Sequence, residues 1–185
     1  MRNKPHPVVI SPFANERIRQ WPPGHFRELI ELIGREHGLP VALVGTRGQR
    51  ALANAIVRGL SSEQVSNTCG TMSWSELVGA VDAAPYVVSN NSGVAHLAAS
   101  RDRWTLCIFS ASHAYSEWMP RGPRVVTLVS ALPCSPCSLG TDFCPNDATC
   151  MTGLTPADVF WRFDQARESV LAKARASLSA PGEAA

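Results

Sequence analysis

The chain has 185 residues and a formal net charge of +2, with 45% hydrophobic and 17% charged residues. That size and balance predict one soluble globular domain with a substantial core. The small net charge argues against a nucleic-acid arm and against a strongly basic membrane patch. No apolar run approaches the roughly 18–20 residues that cross a bilayer, and no signal-peptide core follows the N-terminus. We therefore expect a cytoplasmic protein.

Strand and helix patterns alternate along the chain. Strands are predicted at residues 8–11, 41–44, 65–69, 86–89, 105–109 and 125–129. Helices are predicted from Pro22–Pro23 to about Glu36, at about residues 49–58, after Ser73, after Ser92, and from Thr155 onward. Gly38 is predicted to end the first of them. Capping boxes, a hydroxyl residue with a carboxylate three residues on, open the helices after Ser73 and Thr155. This alternation predicts a Rossmann-like α/β domain over residues 1–178, with a parallel sheet of about six strands and a frayed tail at 179–185.

A buried strand, a polar turn and a helix start follow one another within residues 86–99. Free amides at the helix start, with the positive end of the helix dipole, form an anion site. Asn91 or Ser92 would cap the helix or bind a phosphate oxygen, Gly93 admits a close ligand, and His96 lies one turn further on. The simpler interpretation is a plain strand–turn–helix, with Ser92 as N-cap and His96 packed against a neighbour.

Ligands of parallel sheets bind beyond the carboxyl ends of the strands. Four turns are predicted at that edge, after Ser11, Val44, Ser89 and Phe109. Their polar residues are Asn15, Glu16, Arg17, Arg19, Thr46, Arg47, Asn91, Ser92, His96, Ser110, Ser112 and His113. Arginines, small hydroxyls and helix N-termini together favour a diphosphate, so Ser11 and Thr46 join the predicted ligand-binding set. The pattern indicates a nucleotide or phosphosugar site without identifying the reaction.

Four of the six cysteines lie within 17 residues, with the spacing C-x2-C-x6-C-x5-C. They are Cys134, Cys137, Cys144 and Cys150. Four cysteines this close in a cytosolic chain suggest a structural tetrathiolate zinc site. Free thiols, a disulfide formed on isolation, and a redox-labile pair are the alternatives. The other two, Cys69 and Cys107, have apolar strand neighbours and are predicted to be core residues.

Several segments resemble one family in the same order along the chain. The segment Asn91-Ser92-Gly93-Val94-Ala95-His96-Leu97-Ala98-Ala99 is similar to the Asp-Ser-Gly-Pro-Met-His-Leu-Ala-Ala signature of ADP-heptose:lipopolysaccharide heptosyltransferases. Pro12-Phe13-Ala14 and Arg19-Gln20-Trp21-Pro22 resemble the Pro-Gly-Ala and Lys-Arg-Trp-Pro motifs of that family. Residues 69–77 and the cysteine motifs also fall in the family's order. The resemblance runs over about residues 8–163.

This resemblance implies one half of a GT-B fold, the C-terminal domain that binds the nucleotide sugar. It implies ADP-heptose or a similar donor and a lipopolysaccharide-core or other glycan acceptor. Peripheral attachment of the protein to the inner face of the membrane is left open as an alternative to a free cytoplasmic protein. The family's acceptor domain and proposed general base would lie outside this chain. By resemblance, Ser92, Gly93 and His96 hold the donor diphosphate, Arg19 replaces a phosphate-neutralising lysine, and Asn91 replaces an aspartate.

The expected chemistry is glycosyl transfer, in which the nucleoside diphosphate leaves as an acceptor hydroxyl attacks the anomeric carbon. Helix amides and the Arg19 cation would stabilise charge on the leaving group without a cofactor. Where the family has glycine, this chain has the bulkier Phe13. The alternatives are a non-catalytic module that binds a nucleotide or sugar phosphate, and an unrelated phosphosugar enzyme such as an epimerase or isomerase.

Overall fold

Six parallel strands form one sheet in the computed structural model, which describes residues 5–112, 115–130, 132–137 and 143–179. The strands are β1 (Val8–Ser11), β2 (Val41–Leu43), β3 (Val65–Asn67), β4 (Tyr86–Asn90), β5 (Trp104–Ile108) and β6 (Val125–Leu128). Their order in the sheet is β3-β2-β1-β4-β5-β6, and every neighbouring pair is parallel. This order is that of doubly wound nucleotide-binding folds. The predicted Rossmann-like α/β class is confirmed.

Helices connect and cover these strands. They are α1 (Pro23–His37), α2 (Arg50–Val57), α3 (Trp74–Ala83), α4 (Gly93–Ser100), α5 (Tyr115–Trp118), α6 (Thr149–Thr152) and α7 (Pro156–Ser179). Short 3-10 turns occur at Arg17–Arg19 and Arg47–Gln49. Most of the predicted tail, residues 180–185, lies outside the described residues. None of the described helices combines the length and apolar character needed to cross a membrane.

Local sequence explains where α1 begins and ends. Pro23 occupies the first turn, where a missing amide hydrogen costs nothing. Gly38 ends the helix in the left-handed conformation, at a φ of 61°, and its amide donates to the Gly34 carbonyl at 2.9 Å. Glycine adopts this conformation without a steric cost, so the predicted stop is confirmed.

The core between the sheet, α1 and α7 fixes the position of the ligand edge. Trp21 is fully buried, and its indole N–H donates to the Leu154 carbonyl at 2.8 Å. Its ring contacts Phe26 of α1 edge-on, with 4.9 Å between centroids. On α7, Phe163 packs against Tyr86 with 5.0 Å between centroids. These contacts tie the loop after β1 to α1 and to the turn before α7, and they tie α7 to β4.

Several predicted strand boundaries differ from the structure by one or two residues, and two differences lie close to the ligand edge. Asn90, expected in the turn, is the last residue of β4 and is fully buried. A polar side chain is tolerated there because both ends of its amide are hydrogen-bonded. The loop expected at residues 110–122 contains the helical turn α5, and its residue His113 lies outside the described residues.

Candidate functional site

A cavity of about 450 Å³ opens at the carboxyl ends of β1, β2, β3 and β4. Four of the predicted ligand-binding residues line it, and they come from three different turns: Ser11, Thr46, Ser92 and Gly93. The cavity therefore spans the junction of β1 and β4, where the strand order reverses. Ligands of doubly wound sheets bind at this point.

The start of α4 forms one wall of the cavity. Ser92 is extended, with φ −145° and ψ 172°, and its side chain makes no capping hydrogen bond to the helix. Instead its hydroxyl lies 3.0 Å from the Ser89 hydroxyl. The first amides of a helix have no partner inside it, so this uncapped turn presents donors to a ligand. A Cβ built on Gly93 would meet nothing within 4 Å, so the space above this turn is open.

The loop after β1 forms a second wall, and Asn90 holds it in place. The Asn90 side chain donates to the Pro12 carbonyl at 2.8 Å and accepts from the Trp21 amide at 3.0 Å. Phe13 packs on Gly45, where an added Cβ would lie 2.9 Å from the Phe13 ring. Sequence reasoning placed Asn90 in the turn and so missed its positioning role.

The turn between β2 and α2 forms a third wall. A capping box joins Thr46 and Gln49, in which the Thr46 amide donates to Gln49 Oε1 at 2.8 Å. Arg47 lies between them, and its backbone packs on Gly70, which has a φ of 70°. A Cβ on Gly70 would collide with the Arg47 backbone. The backbone of Arg47 is therefore fixed, while its side chain is exposed at the cavity.

An apolar wall follows β3, and its residues were not among those predicted for the site. Met72, Trp74 and Leu77 line the cavity, and Trp74 is 69% exposed. The capping box of α3 sets the position of Trp74, since the Ser73 amide donates to Glu76 Oε2 at 2.7 Å. Hydrogen bonds from the Ser73 side chain and amide also lower the pKa of Glu76. The sheet topology could have predicted this wall, because β3 lies beside β2 and both strands end at the same edge of the sheet.

Charge in this cavity is of one sign. Among the described residues that line it, Arg47 is the only charged one, and no carboxylate accompanies it. The remaining polar groups are hydroxyls, amides and backbone atoms. An uncompensated cation beside free helix amides favours an anionic ligand.

Three predicted residues do not line the cavity. Arg19 lies in a 3-10 turn and pairs with Glu16, with 3.1 Å from Nη2 to Oε1 and 3.0 Å from Nε to Oε2. Asn91 is buried, and its backbone N–H donates to the Ile108 carbonyl at 3.0 Å. His96 is exposed on α4. Their ligand-binding roles, and the catalytic role of Arg19, remain predictions.

The four clustered cysteines line a separate cavity of about 140 Å³. Ser112 lines it too. The turn after β5 therefore lines this cavity and not the cavity of about 450 Å³. Burial raises the pKa of Cys150. Within the described ranges, no group of three or more His, Cys, Asp or Glu side chains is arranged to hold a metal ion.

The other two cysteines are buried, as predicted. Burial raises the pKa of Cys69 to about 11 and that of Cys107 to about 12.

Residues 2–146 match the family described as glycosyltransferase family 9 (heptosyltransferase). The chain belongs to this family. Two curated relatives, both named lipopolysaccharide heptosyltransferase 2, come from Salmonella typhimurium and Escherichia coli. They are 28% and 27% identical over 116 residues, which is 60% of this chain and 33% of each relative. This family 9 chain thus spans about a third of the curated relatives it matches.

Solved structures show the same fold over about half their length. The ADP-heptose lps heptosyltransferase II of E. coli has a TM-score of 0.71 and 20% identity, covering 90% of this chain and 47% of that one. The iron-containing dodecameric glycosyltransferase TibC of enterotoxigenic E. coli has a TM-score of 0.70 and 18% identity, covering 92% and 48%. The family 9 domain described here therefore corresponds in fold to one half of these heptosyltransferase chains.

Proposed function

We propose that this family 9 domain binds the nucleotide-sugar donor of a heptosyltransferase-type reaction, with ADP-heptose or a similar donor. The observation that carries the proposal is the cavity at the β1–β4 junction, where Ser11, Thr46, Ser92 and Gly93 meet. Its volume of about 450 Å³ lies within the usual range for small-molecule sites. One structural relative is E. coli heptosyltransferase WaaC with ADP-2-deoxy-2-fluoro heptose, which supports a donor of this class.

The two ends of the cavity suit the two ends of such a donor. Diphosphate oxygens would accept hydrogen bonds from the first amides of α4 and from the Ser92 hydroxyl. The flat, partly apolar base would pack on the wall formed by Met72, Trp74 and Leu77, where stacking on an indole is favourable.

The transfer step follows from charge development. As the acceptor oxygen bonds to the anomeric carbon, the bond to the diphosphate breaks and negative charge grows on the leaving oxygen. Fixed amides at the start of α4 stabilise that charge more in the transition state than in the ground state. A cation facing the diphosphate would add to this stabilisation, and the sequence predicted Arg19 for that role. Neither contribution needs a cofactor.

We propose a lipopolysaccharide-core acceptor, in line with the names of the two curated relatives. Transfer would require an acceptor-binding domain beside this one, on the same or another polypeptide. The reaction would take place in the cytoplasm, where nucleotide sugars and reduced cysteines are expected.

Calorimetric titration with ADP, UDP, GDP and ADP-heptose tests donor binding. We expect the adenine ligands to bind, and Ser92→Ala to weaken them several-fold because one phosphate donor is lost. Ser100→Ala is the matched control, since this hydroxyl lies at the far end of α4 and donates to the Leu97 carbonyl. Negligible heats with all four ligands would contradict the proposal.

The structural zinc predicted for the cysteine loop is a separate proposal. All four thiols line one cavity. In the part of the chain that the structure describes, however, no three of them are close enough together to hold a metal ion. Elemental analysis of purified protein for zinc and iron decides the question. About one metal ion per chain, lost in Cys134→Ser and Cys150→Ser but retained in Cys69→Ser, is the expected result. Metal-free protein with four reactive loop thiols would rule the site out.

A further inference from the structure

We infer that Arg47, and not Arg19, is the cation that faces the donor diphosphate in this chain. The inference rests on the proposed donor site and assigns one more residue to it. Arg47 is the only charged residue among those described around the cavity.

The backbone of Arg47 is held on two sides. The Thr46–Gln49 capping box fixes the 3-10 turn to which it belongs. Gly70 lies against its Cα so closely that no other residue type fits at position 70 without displacement. Because the backbone is already held in place, less conformational entropy is lost when the Arg47 side chain binds a ligand.

Neighbouring arginines at the same edge already have protein partners. Arg19 forms two contacts with the Glu16 carboxylate, at 3.0 and 3.1 Å. Arg50 donates from Nη1 to the Cys69 carbonyl at 2.8 Å. For Arg47 the described part of the chain provides no ion pair or side-chain hydrogen bond, and the side chain is exposed. Binding an anion there breaks no existing ion pair.

The sheet order places Arg47 across the cavity from the α4 amides. Strands β2 and β4 flank β1, and with neighbours roughly 4.8 Å apart their ends lie roughly 10 Å from each other. An extended arginine covers much of that distance. A diphosphate seated on Ser92 and Gly93 would therefore receive the Arg47 guanidinium on its other side. Two parallel N–H donors suit a phosphate group.

Calorimetric titration of the protein with ADP at low and high salt tests whether Arg47 or Arg19 faces the diphosphate. Wild type is compared with Arg47→Gln, Arg47→Lys, Arg19→Gln and the control Arg58→Gln, an exposed arginine outside the cavity. We expect Arg47→Gln to weaken ADP binding about tenfold, the usual effect of losing one charge-assisted pair. Its affinity should also depend less on salt than that of wild type, because one screened interaction is gone. Arg47→Lys should restore part of the affinity, and Arg58→Gln should match wild type.

The other outcomes are distinct. Wild-type affinity in Arg47→Gln, or a loss confined to Arg19→Gln, overturns the assignment of Arg47 and leaves the donor site standing. A loss in Arg47→Gln with unchanged salt dependence and no recovery in Arg47→Lys also overturns it, since that pattern reports a structural role. If wild type binds no nucleoside diphosphate, the donor site fails and this inference fails with it.

Discussion

At the scale of single residues, Asn90 connects the sheet to the loop after β1, which forms one wall of the cavity. Its buried amide bridges the Pro12 carbonyl and the Trp21 amide. Asn90→Ala would leave both backbone groups buried without a partner. We expect a loss of roughly 2 kcal/mol in the free energy of unfolding, and weaker ADP binding because the loop after β1 is released. Urea unfolding and calorimetry measure the two effects.

Asn54→Ala is the control for that variant, because Asn54 is exposed and its amide contacts only the Asn67 side chain among the described contacts. It should change unfolding little. Equal stability of Asn90→Ala and wild type would show that the two hydrogen bonds do not hold the loop.

The cysteines should differ sharply in reactivity. Thiolates react with iodoacetamide and thiols do not. With pKa values of about 11 and about 12, Cys69 and Cys107 stay protonated at about pH 8, and both are buried. In chelator-treated folded protein we expect exposed Cys134 to be alkylated first and these two only after unfolding. Peptide mass spectrometry follows each thiol. Early labelling of Cys107 would contradict its place in the core.

At the scale of elements, the stability that the cap at the start of α7 contributes should be lost in acid. The Thr155 hydroxyl and amide donate to Asp158 Oδ2 at 2.6 and 3.0 Å and lower the pKa of this carboxyl. A lowered folded pKa adds stability above the unfolded value of about 3.9, and that stability is lost as pH falls through the folded pKa. Asp158→Asn should therefore be less stable than wild type near neutral pH, and the difference should shrink below about pH 4.

Urea unfolding at several pH values measures this difference. Glu168→Gln is the control, an exposed carboxylate on the same helix without a described hydrogen bond or ion pair. It should show no such pH dependence. A constant difference between Asp158→Asn and wild type at all pH values would exclude the charged cap as its cause.

The elements also show what the sequence can and cannot predict. Capping boxes at Ser73 and Thr155 and the stop at Gly38 depend on neighbouring residues, and all three were predicted correctly. The Trp74 wall depends on which strand lies beside β2, and the Arg19–Glu16 pair depends on side-chain conformation. Local pattern fixes neither of these. The sequence therefore predicted the sheet edge at which the cavity opens, while part of the cavity wall was missed.

At the scale of the whole molecule, the sheet order determines where the cavity lies. Its cavity lies at the reversal between β1 and β4, and the polar groups around it suit a donor diphosphate. The described cavity wall contains no carboxylate or histidine that would accept a proton from an acceptor hydroxyl. Donor binding and sugar transfer should therefore be separable in this chain.

That separation can be measured directly. We expect the 185-residue chain to bind ADP-heptose but to give negligible transfer to a lipopolysaccharide-core acceptor, because the described cavity wall contains no carboxylate or histidine that could act as the general base. Fusion to the acceptor-binding half of a related heptosyltransferase should produce transfer, detected by mass spectrometry of the acceptor. Ser92→Ala in the fusion should reduce transfer, whereas Ser100→Ala should not. Transfer by the chain alone would contradict the need for a second domain. A fusion that binds the donor yet never transfers it would instead favour the non-catalytic binding module, since the donor cavity would then work without the chemistry.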